Sequence, residues 1–187
     1  MIVSVDSGGP QRQALLATGW LSRNAMLAAL VLLVVLFVAT SPVFGTPGNA
    51  VNILRQSASV LVLGLAMAIV VLVGGIDLSV GSVVFASATL AGIVLTEGFH
   101  PALAVLAATG IGAAVGLLNA AMVEGLRISP VIVTLGTMIA VRGLSLVALG
   151  RYNSWVEIKG PIFAELARST VLGLPLDAIV ALSLAAL

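Results

Sequence analysis

Cysteine is absent from all 187 residues, and histidine occurs once, at His100. The first absence removes disulfides, thiolate nucleophiles and thiolate metal sites together; the second removes any multi-histidine metal centre. Charge is nearly as scarce. Only 8% of residues are Asp, Glu, Lys or Arg, against roughly 25% in a soluble domain. Such a chain cannot cover a globular surface in water. A net charge of +1 suggests no nucleic-acid partner. There is no nucleophile–base pairing, no HExxH and no cluster of carboxylates, so an enzyme is not expected, nor a metal or cofactor.

What is abundant is apolar. Hydrophobic residues make up 60% of the chain and mean hydropathy is +1.25. The apolar runs are long and unbroken rather than alternating every second residue, which argues for helices and against a β-barrel. The expected fold is all-α: a polytopic transmembrane bundle in the lipid bilayer, with five spans plus an incomplete sixth.

Residues 1–23 read as a polar cytoplasmic leader carrying Arg12 and Arg23, ahead of a retained anchor at Asn24 to Thr40 rather than a cleaved signal. Ser41 to Gln56, with Pro42 and Pro47, reads as a loop. The next spans fall at about Ser57 to Val73, Leu78 to Thr96 and Pro101 to Val123. A fifth follows at Val131 to Leu149, interrupted at Arg142-Gly143. The second and third are short for full crossings at 1.5 Å per residue. Gly150 to Thr170 is the longest loop. An apolar run starting near Val171 stops at Leu187 without flanking charge or a capping residue, so residues 24–187 read as the amino-terminal part of a transmembrane domain, truncated inside a helix. Positive charges do not decide orientation: Arg12, Arg23 and Arg127 fall on one side, Arg55, Arg151, Lys159 and Arg168 on the other. The leader places the amino terminus in the cytoplasm.

Five features invite a function. Gly74-Gly75-Ile76-Asp77-Leu78-Ser79-Val80-Gly81 interrupts the apolar tract with the only ionised group across about forty residues. A carboxylate at membrane depth costs at least ~2.5–3.5 kcal/mol and must face protein, water or a pathway. The glycines Gly74, Gly75 and Gly81 permit a tight turn, and Asp77 or Ser79 can cap the helix that restarts; the stretch reads as a broken or re-entrant helix. Asp77 is better suited to fixing this turn than to contacting a solute directly, because only Ser79 is near. On the fourth span Ala104, Ala108, Gly112, Gly116 and Ala120 recur every four residues, a strip of small side chains suited to close helix packing. Asn119 fits interhelical hydrogen bonding or a pathway lining. Thr134 and Thr137 share a face but often bond their own backbone. Arg142 needs a partner, and the expected one is Asp77 or Glu124.

These residues also carry a resemblance. Gly74 to Gly81, then Gly116-Leu117-Leu118-Asn119, Arg127-Ile128-Ser129-Pro130, Ile132-Val133-Thr134-Leu135-Gly136-Thr137-Met138 and Arg142-Gly143, then Leu172-Gly173-Leu174-Pro175, together resemble the ribose-type permease subunits of ABC sugar importers across residues 57–187. Ser129 departs from the Pro usual there. The resemblance implies an inner-membrane permease that passes ribose-, xylose- or galactose-type sugars by alternating access. It implies a second permease subunit forming a dimer, ATP-binding subunits that do the hydrolysis, and a periplasmic sugar-binding protein. The family's Gly-Asn…Ala-Ala…Gly segment that contacts the ATPase has no counterpart in residues 1–187. An ion-coupled secondary transporter is the rival reading, because broken helices with a deep carboxylate also suit ion binding. A permease of the same superfamily for amino acids or nucleosides is the nearer variant.

Overall fold

A computed structural model describes residues 24–153, 155, 156, 163, 165, 168–171 and 173–186. The expected leader at 1–23 lies outside the described residues. The chain divides into two compact units, 1–53 and 54–187. In the first, helix α1 (Ala25–Thr40) has no buried side chain and is apolar all round, the pattern of a helix surrounded by lipid or by other apolar helices. It ends where Thr40 turns its hydroxyl back on the Leu36 carbonyl and Phe44 stacks on Phe37 at 5.3 Å.

Helix α2 (Pro47–Leu72) starts ten residues earlier than the loop reading of Ser41 to Gln56 allowed. Its 26 residues measure about 39 Å, so the second span is long, not short. Pro47 occupies the first helical position, where its missing N–H costs nothing. Thr46 caps it by accepting from the Asn49 N–H at 3.3 Å, and the Asn49 amide donates to the Phe44 carbonyl at 2.9 Å. The unit boundary falls within this helix.

The second unit holds α3 (Val80–Thr96), α4 (Pro101–Ala120) and α5 (Pro130–Gly150), then a two-residue antiparallel pair, β1 (Thr170–Val171) with β2 (Leu174–Pro175), and α6 (Leu176–Ala185). Among the described residues that hairpin is a small exception to a mostly helical structure, and Gly173 within it sits at φ +81°, a conformation glycine takes freely. Three helical stretches, Pro47–Leu72, Pro101–Gly125 and Pro130–Gly150, are long and apolar enough to cross a membrane; α1, α3 and α6 are shorter apolar helices. Helix α5 runs unbroken through Arg142-Gly143, because an exposed glycine costs a helix only about 1 kcal/mol.

Helix α3 is the centre of this unit. It lies antiparallel to α4: Asn119 meets Ser79 at one end and the Ser87 hydroxyl donates to the Ala108 carbonyl at 2.9 Å further along. It lies parallel to α5, as Thr134 meets Ile76, Arg142 meets Phe85 and Tyr152 meets Glu97 in order. The buried side chains of α3 are Ser82, Ala86, Thr89 and Gly92, all small, and α5 contributes Thr134, Thr137 and Ser145. Lipid gives helices no hydrophobic reason to pair, so close backbone approach through small residues holds such a seam together. Thr137 and Ser145 satisfy their hydroxyls on carbonyls three or four residues back, which lets polar atoms lie in the seam.

The strip expected on α4 only partly faces this seam. Ala104 is buried, Ala108 and Gly112 are half-buried, while Gly116 and Ala120 are exposed. A strict four-residue step drifts ~40° around a helix each time, so the strip leaves the contact face by Gly116. The contact face instead follows Ala104, Ala108, Ile111, Val115 and Asn119. Gly112→Leu, whose side chain would grow toward Val83, should therefore destabilise by about 1–3 kcal/mol, and Gly116→Leu should stay within about 0.5 kcal/mol. Unfolding both in mixed micelles checks this; equal losses would restore the strict strip.

Candidate functional site: the polar knot at the helix break

The break between α2 and α3 is closed by backbone geometry. Gly74 sits at φ +80°, its N–H donates to the Val71 carbonyl at 2.9 Å, and the Gly75 N–H donates to the Val70 carbonyl at 2.9 Å. This pair of bonds is the Schellman termination, which needs a residue able to enter the left-handed region. Gly75 is favoured for a different reason: a Cβ there would crowd the Val70 carbonyl oxygen at 3.2 Å.

Asp77 then organises the restart. Its Oδ1 accepts from the Ser79 N–H at 2.7 Å and from the Ser79 hydroxyl at 2.6 Å. The carboxylate also sits at the amino end of α3, where the helix dipole favours negative charge. Ser79 is fully buried, at 0% exposure, yet every polar group it carries is used. Its carbonyl accepts from the Ser82 hydroxyl at 2.7 Å and the Val83 N–H at 2.9 Å, and its hydroxyl oxygen accepts from Asn119 Nδ2 at 3.0 Å. The Ser79 side chain therefore does not cap α3, as one sequence reading had it; it ties Asp77 to α4.

Asn119 completes the knot and leaves one loose end. The single hydroxyl proton of Ser79 goes to Asp77, so the atom Asn119 presents to Ser79 has to be a donor; turning the amide around would set two acceptors against each other. Its Oδ1 is consequently left buried without a hydrogen-bond partner among the described residues. An unsatisfied buried acceptor costs roughly 1–3 kcal/mol. Thr134 brings α5 in: its hydroxyl lies 2.8 Å from the Pro130 carbonyl and 3.3 Å from that of Ile76. A cavity of about 300 Å³ opens here, lined by the turn, Asn119, Thr134 and Glu124. Glu124 stands in the five-residue π-helical turn Ala121–Gly125 that ends α4. Such turns often mark functional positions.

Of the expected site residues, Gly74, Gly75, Asp77, Ser79, Asn119 and Thr134 are thus brought together, while Gly81 is exposed with open space around it. Arg142 is elsewhere. No ion pair joins it to Asp77 or Glu124 among the described residues; its guanidinium lies 5.7 Å from the centre of the Phe85 ring, a cation–π distance. The reason is axial. Thr134 is the α5 residue beside the break, and Arg142 lies two turns further, about 12 Å along the helix.

Two residues without a role in the sequence reading acquire one. His100 caps α4, its Nδ1 accepting from the Ala102 N–H at 3.2 Å. Glu97 accepts from the Tyr152 hydroxyl at 2.5 Å and ties the far ends of α3 and α5. That hydrogen bond, ahead of slight burial and the nearby carboxylate charge, raises the Tyr152 phenol above its ordinary 10.0. A donor whose pKa is raised supports the folded state below the ordinary value and stops doing so as pH climbs through the raised one. Tyr152 is the only tyrosine, so its phenolate absorbance reads one group. Glu97→Gln should lower the titration midpoint; an unchanged midpoint would mean the contact is not formed.

Apolar helices of spanning length, packed through small residues around a broken helix with a polar knot, define a polytopic membrane protein. The chain belongs to a transport family described as "Branched-chain amino acid transport system / permease component", whose model matches residues 49–186. Similar proteins include the ribose import permease protein of Escherichia coli (strain K12), 34% identical over 128 residues, 68% of this chain and 40% of that one. The fructose import permease protein of Bifidobacterium longum (strain NCC 2705) is 34% identical over 140 residues, 73% and 39%. The autoinducer 2 import system permease protein of Enterobacter sp. (strain 638) is 33% identical over 156 residues, 82% and 45%. The chain thus spans less than half the length of these curated relatives. No solved structure matches it.

Proposed function

We propose that this chain supplies the transmembrane path of an ATP-binding-cassette importer for monosaccharides, in the bacterial inner membrane with its amino terminus in the cytoplasm. On this reading α1 to α5 are five spans and α6 begins a sixth. The observation that carries it is the family match over residues 49–186 together with relatives whose names specify import of ribose and fructose. The family description names branched-chain amino acids instead. The hydroxyl and amide lining of the break favours a sugar over a side chain of pure hydrocarbon.

The partners are a second permease subunit, two ATP-binding subunits and an external sugar-binding protein. The chain performs no chemistry of its own. Its part in alternating access is mechanical. Helices α3 and α5 are tied at both ends, by Thr134 to Ile76 and by Tyr152 to Glu97, and α4 is tied to α3 by Asn119. The three move as one block when ATP-driven closure of the partner subunits rocks them. In the proposed assembly Asp77 and Ser79 act first as a brace for the pathway.

Uptake of labelled monosaccharide by cells producing the chain with its ATP-binding and sugar-binding partners tests this. Uptake should cease when ATP is depleted and survive an uncoupler while ATP is maintained. Uptake that collapses with the uncoupler at normal ATP would favour ion coupling and sink the importer reading.

A further inference from the structure

Arg142 is exposed on an apolar helix, and among the described residues its guanidinium has the Phe85 ring and no carboxylate. It does not snorkel to a membrane surface. Phe85 lies about 9 Å past Ser79 along α3 and Arg142 about 12 Å past Thr134 along α5, so the side chain reaches sideways rather than outward. An aromatic face alone is a weak partner for a charge at that depth. The guanidinium borders a groove of about 540 Å³ between α3 and α5, where Gly81 and Gly143 have open space and would let another helix come close.

Helix α6 carries the complement. Asp177 is exposed, and among the described residues its Oδ1 accepts only the N–H of its neighbour Ala178, at 2.9 Å. The other carboxylates on α3 to α6 and at their ends are engaged or distant: Asp77 holds Ser79, Glu97 holds Tyr152, and Glu124 stands at the break. Asp177 lines a cavity with Val84, the residue before the Phe85 under Arg142, so the two charges lie at similar depth on different faces of α3. Their apolar neighbours repeat the match. Asp177, Val180 and Leu184 form one exposed stripe on α6, and Arg142, Ile139 and Leu135 form one on α5 with the same spacing read backwards. Two helices running in opposite directions would meet at all three levels, and a two-fold axis along the membrane normal leaves depth and direction unchanged.

We propose that this face docks a second copy of the chain, with the α6 stripe of each protomer in the α3–α5 groove of the other and Asp177 paired with Arg142 across the interface. The contact is self-complementary, so it brings two ion pairs. The inference rests on the importer reading, which calls for a second permease subunit, and gives that subunit its seat.

The natural absence of cysteine supplies the test. Two differently tagged full chains, one Ile139→Cys and one Val180→Cys, are produced together with the ATP-binding and sugar-binding partners, and the membranes are oxidised. A disulfide-linked dimer carrying both tags should form about fivefold more abundantly than when V180C is combined with Val147→Cys, an exposed position off the stripe. Added to both chains of the I139C and V180C pair, Arg142→Asp or Asp177→Arg alone should cut the linked fraction about threefold, and the two reversals together should restore it. Should a single reversal fail to accumulate, the double reversal should restore accumulation as well. Absence of the mixed cross-link, equal cross-linking through V147C, indifference to the single reversals or no rescue by the double overturns the proposal. ATP-driven uptake without the cross-link would remove this face alone, whereas uncoupler-sensitive uptake with the cross-link would remove the importer reading and leave the dimer standing.

Discussion

Asp77→Ala is expected to destabilise the folded chain by about 2 kcal/mol, measured by unfolding in mixed micelles. The carboxylate accepts two hydrogen bonds from Ser79, at 2.7 and 2.6 Å. Bonds to a charged group are worth about 1.5–3 kcal/mol each, so the naive loss is larger. Part of it is recovered, because Asn119 can then turn its amide and accept the Ser79 proton on Oδ1. Asp77→Asn keeps an acceptor of the same shape and should lose about 1 kcal/mol. The order Ala worse than Asn is as informative as the size. Indifference to both substitutions, within about 0.5 kcal/mol, would mean that Asp77 is not what closes the turn.

The second large effect is steric. Gly75→Val should cost about 3 kcal/mol, since its Cβ alone would meet the Val70 oxygen at 3.2 Å and the Val70 side chain at 3.1 Å. Gly74→Ala has open space around it but must hold φ near +80°, which costs an L-residue about 1–2 kcal/mol. Gly81→Ala meets nothing within 4 Å on a helical position, and should be neutral or stabilising by up to ~1 kcal/mol. Three glycines of one motif therefore separate into a packing glycine, a conformational glycine and a free one. Equal losses at all three would contradict the Schellman closure of α2.

The helix break was legible because it rests on local chemistry. Two adjacent glycines, a carboxylate and a serine within six residues have few ways to be arranged in an apolar tract, and α2 ends at Leu72 and α3 begins at Val80 accordingly. Pro47 misled because proline and glycine mark both loops and helix starts; Thr46 and Asn49 were the discriminating pair. The α4 strip misled because four residues is close to, but not equal to, a helical turn. The small face of α3, Ser82, Ala86, Thr89 and Gly92, was present in the sequence at helical spacing but is interleaved with Val and Phe. Three contacts had no local signature at all. Asn119 reaches Ser79 across 40 residues, Thr134 reaches Ile76 across 58 and Tyr152 reaches Glu97 across 55, so each depends on how whole helices pack. Arg142 shows the same limit: charge matching alone proposed Asp77 or Glu124, and axial position sets it on Phe85.

Ser79 joins the break to α4 through Asn119. A double-mutant cycle on Ser79→Ala and Asn119→Ala, read by unfolding in micelles, tests it directly. The knot predicts a coupling energy of about 1 kcal/mol, within the range found for interhelical hydrogen bonds in membranes. Losses that add to within ~0.3 kcal/mol would mean the two residues act separately, and the knot would be contradicted.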